Sequence, residues 1–151
     1  MTVLDRLQGL GLQIPEPPRA VGAYEPFVVT GSLVLTSGQL PWRGGRMMHA
    51  GKLGQEVTVE EGYEAARQAG LNAIAQLQAA VGDLEKVRLV RVEGYVHCGE
   101  GFREHPKVLD GASELFLAVF GDKGKHVRIA LGIKDMPLNA PVQIAVWAEL
   151  G

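Results

Sequence analysis

The 151-residue sequence lacks the features that mark several classes of protein. Its single cysteine, Cys98, cannot form an intramolecular disulfide, which excludes a small disulfide-stapled scaffold. No apolar run approaches the ~20 residues that a membrane-spanning helix needs. Residues 1–7 lack the basic start, the long apolar run and the small-residue cleavage site of a secretion signal. We therefore expect a cytoplasmic protein with no membrane partner.

Positive charge is not in excess either. Fifteen basic and 17 acidic residues give a formal net charge of −2, so the chain has no overall field that would attract nucleic acid phosphates. The clearest basic cluster consists of Lys123, Lys125, His126 and Arg128. So few cations are typical of a solvated loop edge, and RNA binding through this cluster is the alternative. We expect no nucleic acid partner.

The composition of the chain is typical of one globular domain. Hydrophobic residues make up 46% of the chain and charged residues 21%, which are ordinary values for a folded domain. Glycine is the exception, with 20 residues where the usual fraction of ~7% would give about half as many. We expect a short N-terminal helix and a proline-rich lead-in over residues 1–20, followed by one domain over residues 21–151.

Apolar periodicity predicts the order β-β-α-β-α-β-β along the chain. The elements are expected at residues 27–30, 33–37, 59–81, 87–96, 106–120, 126–133 and 142–149. Gly31-Ser32 marks a tight turn, and Thr58 with Glu61 forms a capping box at the start of the longer helix. In the strand at 87–96 we expect Val90, Val92 and Val96 to share one face. Each helix has a single apolar stripe, so both should pack on one face of a mixed, mostly antiparallel sheet in an α+β fold.

The other face of this sheet is where a site is expected. In the strand at 126–133 the apolar residues should face the helices, which leaves Arg128 on the second face beside small residues such as Ala130. If this strand pairs with the one at 142–149, Gln143 emerges on the same face as Arg128. The guanidinium fork suits a carboxylate ligand. The alternative is a surface arginine paired with Glu149 or Glu93.

Four short blocks carry a resemblance to a known family. They are Gly22-Ala-Tyr24, Ser37-Gly-Gln-Leu-Pro41, His126-Val-Arg-Ile-Ala-Leu-Gly132 and Met136-Pro137. Together, in this order and spacing, they resemble the signature blocks of the reactive-intermediate deaminase family, also called YjgF-like or L-PSP endoribonuclease-like. The N-terminal helix and the proline lead-in look similar to a longer subgroup of that family.

The resemblance implies a chorismate-mutase-like fold, assembled as a homotrimer around the second sheet face with ligand clefts between subunits. Arg128 matches the arginine that holds the substrate carboxylate, Tyr24 matches an aromatic of the cleft wall, and Ser37, Gly38 and Gln39 match the segment that borders the site. The family reaction is hydrolysis of 2-imino or 2-enamino carboxylates to a 2-keto acid and ammonia. No cofactor is expected.

Two departures from the family pattern bear on catalysis. Gln143 stands where active members carry a glutamate that positions water, and Ala130 replaces a frequent cysteine. A glutamine amide can orient water but cannot take its proton, so His126, two residues from Arg128, is the nearest titratable candidate. A catalytically silent binding or sensing protein is the alternative function, and an endoribonuclease is the third.

The remaining candidate groups predict no further site. His97 and Cys98 directly follow the strand predicted at 87–96, and adjacent residues of extended chain point to opposite faces, so they do not form a metal pair. We expect no metal site, and we expect Cys98 to be an inert, partly buried thiol.

Overall fold

The computed structural model describes all 151 residues. It contains three α-helices, α1 (Val3–Gly9), α2 (Val59–Val81) and α3 (His105–Phe120). The seven strands are β1 (Phe27–Thr30), β2 (Leu33–Thr36), β3 (Trp42–Arg43), β4 (Arg46–Met47), β5 (Val87–His97), β6 (Val127–Ile133) and β7 (Val142–Leu150). The predicted helices and strands are confirmed to within two residues, and the short β3–β4 hairpin is an addition.

Five strands form one sheet in the order β1-β2-β7-β5-β6. Only the β5–β6 pair is parallel, and the other neighbours are antiparallel. This arrangement confirms the predicted mixed, mostly antiparallel sheet. It also shows that β6 and β7 do not pair, because β5 lies between them. The conditional expectation that they would pair is wrong.

Helices α2 and α3 cover one face of the sheet and pack closely on each other. A Cβ at Gly70 of α2 would stand 3.2 Å from the Ala112 Cβ of α3, and one at Gly111 of α3 would overlap the Tyr63 carbonyl oxygen of α2. These glycines let the two backbones approach. Helix α1 adds Val3 and Leu7 to the same apolar core. The Thr58–Glu61 capping box that begins α2 is present as predicted.

The strand β6 presents its faces the other way round from the prediction. Arg128 pairs with the buried Val92 of β5, so its side chain lies on the helix side of the sheet. Val127 and Leu131 lie on the opposite side, where they are 58% and 51% exposed. The expectation that the apolar residues of β6 face the helices is wrong. As an edge strand, β6 takes its orientation from its register with β5, and its own alternation does not fix it.

A second difference lies in β5. The register shifts between Leu89 and Arg91, as a β-bulge does, so Leu89 joins Val92 and Val96 in the core. Val90, expected on that face, is 39% exposed instead.

The face of the sheet away from the helices is uncovered, and we call it the open face. One row of paired residues crosses all five strands there, formed by Val127, Arg91, Trp147, Leu35 and Val28. The Trp147 Nε1 donates a hydrogen bond to the Glu93 carboxylate, 2.7 Å away. None of the helices combines the length and the apolar character that crossing a membrane requires.

Candidate ligand cleft

A cleft of about 240 Å³ opens at the margin of the open face. It lies between the proline lead-in and the segment that follows β2. Its walls contain five of the residues expected from the sequence, namely Tyr24, Ser37, Gly38, Gln39 and Gln143. Pockets for drug-sized ligands have volumes of about 300–1,000 Å³. The cleft therefore suits a smaller molecule.

Gly38 and Gln143 form the floor of the cleft as a close-fitting pair. A Cβ at Gly38 would overlap the amide group of Gln143, so no larger residue fits without moving that side chain. The Gln143 Nε2 donates to the Met136 sulfur at 3.4 Å. This contact leaves the amide oxygen as an acceptor, which can bind the O–H of a water or the N–H of a ligand.

A buried glutamine of α2 joins the two walls. Gln76 is fully buried, and its Nε2 donates to the Pro18 carbonyl at 2.7 Å and to Gln39 Oε1 at 3.2 Å. Gln39, itself 5% exposed, donates to the Ser37 carbonyl at 3.1 Å. One side chain in the core thus fixes the lead-in against the segment after β2, and the shape of the cleft depends on it.

Two more polar side chains of α2 extend this stripe towards the β3–β4 hairpin. The Asn72 Nδ2 donates to the carbonyls of Leu40 and Trp42 at 2.9 and 3.0 Å, and the Gln68 Nε2 donates to the Trp42 carbonyl at 3.1 Å. Gln68, Asn72 and Gln76 are four residues apart, so they lie on one face of the helix. None of these three residues is among those expected from the sequence.

Arg128 lies outside the cleft, in a polar cluster between β6 and α3. Its Nη1 donates to Asp110 at 2.9 Å and to the Ser113 hydroxyl at 3.1 Å, and its side chain is 22% exposed. The partner is Asp110 and not Glu149 or Glu93. Both bonds use Nη1, so they do not engage the edge formed by Nε and Nη2, and this edge can donate two parallel hydrogen bonds.

His126 belongs to the same cluster. Its Nδ1 is 2.6 Å from the Gly124 carbonyl, which only accepts, so Nδ1 carries a proton. Its Nε2 is 2.9 Å from the Ser113 hydroxyl. His126 and Arg128 therefore both contact Ser113. They share a side of the sheet, as expected, but it is the helix side and not the second face. The imidazole also packs edge-on against Phe116 and does not line the cleft.

The structure thus divides the predicted site residues into two groups. Gln143 pairs with Tyr95 and faces the open side, whereas Arg128 pairs with Val92 and faces the helices. The expectation that they share a face is wrong. Ala130 also lies apart from the cleft, where it packs against the main core. Within one chain, the residues expected to orient water and to hold a carboxylate do not meet.

The titratable groups around these two regions are few. Arg19 and Tyr24 are the only ones that line the cleft, which contains no carboxylate, imidazole or thiol. Burial raises the pKa of the Cys98 thiol, and its Sγ lies 3.5 Å from His105 Nε2. A raised pKa reduces the thiolate fraction at neutral pH, which agrees with an inert thiol. No group of three metal-ligating side chains converges in the chain.

The basic cluster singled out in the sequence is largely occupied by partners within the chain. The Lys123 Nζ donates to the Glu85 carbonyl at 2.7 Å, and Lys125 forms a salt bridge with Asp122 at 3.0 Å. Arg128 is paired with Asp110. A loop edge with internal partners matches this geometry better than a free cationic patch for RNA.

Comparison with known proteins identifies the family. The family model described as "YjgF/chorismate mutase-like, putative endoribonuclease" matches residues 4–150. Protein TCP17 of Trypanosoma cruzi is 40% identical over 152 residues, which cover 98% of this chain and 94% of that protein. A RutC family protein of Aquifex aeolicus is 30% identical over 138 residues, with 91% and 96% covered.

A solved structure agrees with this assignment. The crystal structure of a Shewanella oneidensis MR-1 protein, described by the same endoribonuclease term, has a TM-score of 0.97 and 44% sequence identity to this chain. The match covers 99% of this chain and 100% of the other. The α+β arrangement of mixed sheet and helices is that of the chorismate-mutase-like fold. The chain belongs to the YjgF/chorismate mutase-like family.

Proposed function

We propose that this protein binds small 2-keto, 2-imino or 2-enamino carboxylates in a cleft that a second copy of the chain completes. The observation that carries the proposal is the separation of Arg128 from the cleft that contains Gln143. An arginine on the edge strand β6 lies at the margin of one copy, where it can reach the cleft of a neighbour. The ligand carboxylate then takes the free Nε and Nη2 edge of Arg128.

The open face supplies the surface for the second copy. Val127 and Leu131 on β6 and Val28 on β1 are each at least half exposed there, and Trp147 is 38% exposed between them. When another chain covers exposed aromatic and aliphatic side chains of this kind, the burial of apolar surface stabilises the assembly. The proposed assembly is a homotrimer, in which each open face meets the next and each of the three clefts receives an arginine from a neighbour.

In this cleft the reaction is the hydrolysis of an imine. A 2-enamino substrate first becomes the imine by gaining a proton at C3 and losing one from its nitrogen. The oxygen of a water molecule then adds to C2 while one water proton passes to the nitrogen, which gives a carbinolamine. Its hydroxyl proton passes to the nitrogen as the C2–N bond breaks, and the products are the 2-keto acid and ammonia. The Gln143 amide oxygen accepts a hydrogen bond from the attacking water and orients it. The proton that the water loses passes to the substrate nitrogen, because the cleft of this chain offers no carboxylate or imidazole to carry it.

A coupled assay tests this reaction. A pyridoxal-phosphate enzyme releases 2-aminoacrylate in the cuvette, and pyruvate formation is followed with and without this protein. The proposal expects faster pyruvate formation, and faster still with Gln143→Glu, because a carboxylate can take the proton of water. Gln13→Glu, an exposed substitution of the same chemistry, is the matched control. No acceleration by folded wild-type oligomer would rule out the enzymatic part.

The absence of a carboxylate or imidazole from the cleft favours a second function, that of a silent binding or sensing protein. In this case wild-type protein binds pyruvate or a related 2-keto acid but does not accelerate its formation. Gln143→Glu then gains deaminase activity while the Kd for the 2-keto acid is unchanged. Full activity of the wild-type protein would exclude this alternative.

A further inference from the structure

Arg19 is the one charged residue that lines the cleft. It is exposed, and it takes part in none of the salt bridges of the chain. The other lining residues are apolar, aromatic or neutral polar. A cation without a partner beside an otherwise uncharged cleft gives the cleft a preference for anions.

The backbone at Arg19 is held in place, although its side chain is exposed. Pro17 and Pro18 restrict the chain immediately before it, because the proline ring fixes φ. The carbonyl of Pro18 accepts a hydrogen bond from the fully buried Gln76, 2.7 Å away. The same Gln76 holds Gln39 on the opposite wall at 3.2 Å. The guanidinium of Arg19 therefore extends from a fixed point on the rim.

We infer that Arg19 forms a second anion subsite, and that the ligands of this cleft are dicarboxylic 2-keto or 2-imino acids with a carboxylate at each end. The inference rests on the proposed function, in which Arg128 of a neighbouring copy takes the carboxylate next to the reacting carbon. Arg19 takes the distal carboxylate, whose two oxygens match the planar fork of its guanidinium. The reaction class that supplies such imines is the two-electron oxidation of the amine of an acidic amino acid, in which a flavin or nicotinamide cofactor accepts the hydride.

The test compares two ligands that differ only at the far end. In 2-oxoglutarate the fifth carbon is a carboxylate, and in 2-oxopentanoate it is a methyl group. Calorimetric titration of wild-type protein should give about two- to fivefold tighter binding of 2-oxoglutarate, the range that exposed charge pairs give. The preference should fall as salt rises, because the pair is screened.

Variants assign this preference to Arg19. Arg19→Met should lower the affinity for 2-oxoglutarate to that for 2-oxopentanoate, and Arg19→Lys should keep part of the preference because the charge remains. Arg46→Met is the matched control, an exposed arginine on the β3–β4 hairpin that does not line the cleft. It should keep the full preference.

The outcomes separate this inference from the proposed function. If wild-type protein binds neither ligand, the proposed function fails. If it binds both equally, the proposed function stands and the second subsite is overturned. If Arg19→Met weakens both ligands equally, Arg19 is a general carboxylate anchor and the dicarboxylate preference is overturned as well.

Discussion

Arg128 and Gln143 lie on opposite faces of the same sheet. The side chain of Arg128 lies beside Val92 on the helix face, and that of Gln143 lies beside Tyr95 on the open face. A ligand within one chain cannot touch both side chains, because the sheet separates them. The proposed cleft therefore requires two copies of the chain to bring the two side chains together.

Gln76 should stabilise both the fold and the cleft. Gln76→Met leaves the Pro18 carbonyl and the Gln39 amide oxygen without their donor. A buried polar group that loses its partner costs about 1–3 kcal/mol, so we expect a loss of that size in the free energy of unfolding. Urea denaturation measures it. Gln78→Met, on the partly exposed side of the same helix, should change stability by less than about 0.5 kcal/mol. Equal effects of the two variants would contradict the role of Gln76.

Gly111 should not accept a side chain. The Cβ of Gly111→Ala would overlap the Tyr63 carbonyl oxygen and approach the Arg67 nitrogen to 3.1 Å, and both atoms belong to the backbone of α2. We expect a loss of at least about 1–3 kcal/mol from overpacking between α2 and α3. The control is Gly9→Ala, where nothing lies within 4 Å of the added carbon. Thermal unfolding of both variants gives the comparison, and an unchanged Tm for Gly111→Ala would be inconsistent with the close helix packing.

The N-terminus of α2 should make the protein acid-sensitive. Glu61 accepts a hydrogen bond from the Thr58 backbone N–H at 3.0 Å, and this bond, followed by that with the Thr58 side chain, holds the pKa of Glu61 below its usual range. A carboxyl whose pKa is lower in the folded state than in the unfolded state stabilises the fold at pH values above its unfolded-state pKa. This contribution is lost as the pH falls through the folded-state pKa. Wild-type protein should therefore be more stable than Glu61→Gln at pH 7, and the difference should shrink near pH 3. A difference independent of pH would contradict the assignment.

The start of α2 and the β1–β2 hairpin could be predicted because their sequence signals lie within a few residues of one another. The Thr58 and Glu61 pair marks the start of α2, and Gly31-Ser32 marks the hairpin between β1 and β2. The face of β6 could not be predicted in the same way. It depends on β5 inserting between β6 and β7, which is a property of the whole sheet.

The cleft was predictable only in part. The motif blocks point to Tyr24 and Gly38, the alternation of the last strand points to Gln143, and all three line one cleft. The stripe of Gln68, Asn72 and Gln76 has a sequence signal, a polar residue at every fourth position, but a solvated helix face has the same spacing. Arg19 is a single arginine in a proline-rich segment, and no periodicity distinguishes it from a surface cation.

Complementation between two variants tests whether the cleft of one copy works with Arg128 of another. Arg128→Ala keeps the cleft but loses the arginine, whereas Gly38→Val keeps the arginine but forces Gln143 out of place. Circular dichroism and sedimentation first establish that both variants are folded and oligomeric. Neither variant alone should bind a 2-keto acid.

When the two chains are produced together, random mixing should restore about one quarter of the clefts, those that join an intact cleft to an intact arginine. Calorimetric titration of the mixed oligomer with 2-oxoglutarate counts these sites. Near wild-type affinity is expected at about a quarter of the sites. A mixed oligomer that binds no ligand, while wild-type protein does, would contradict it.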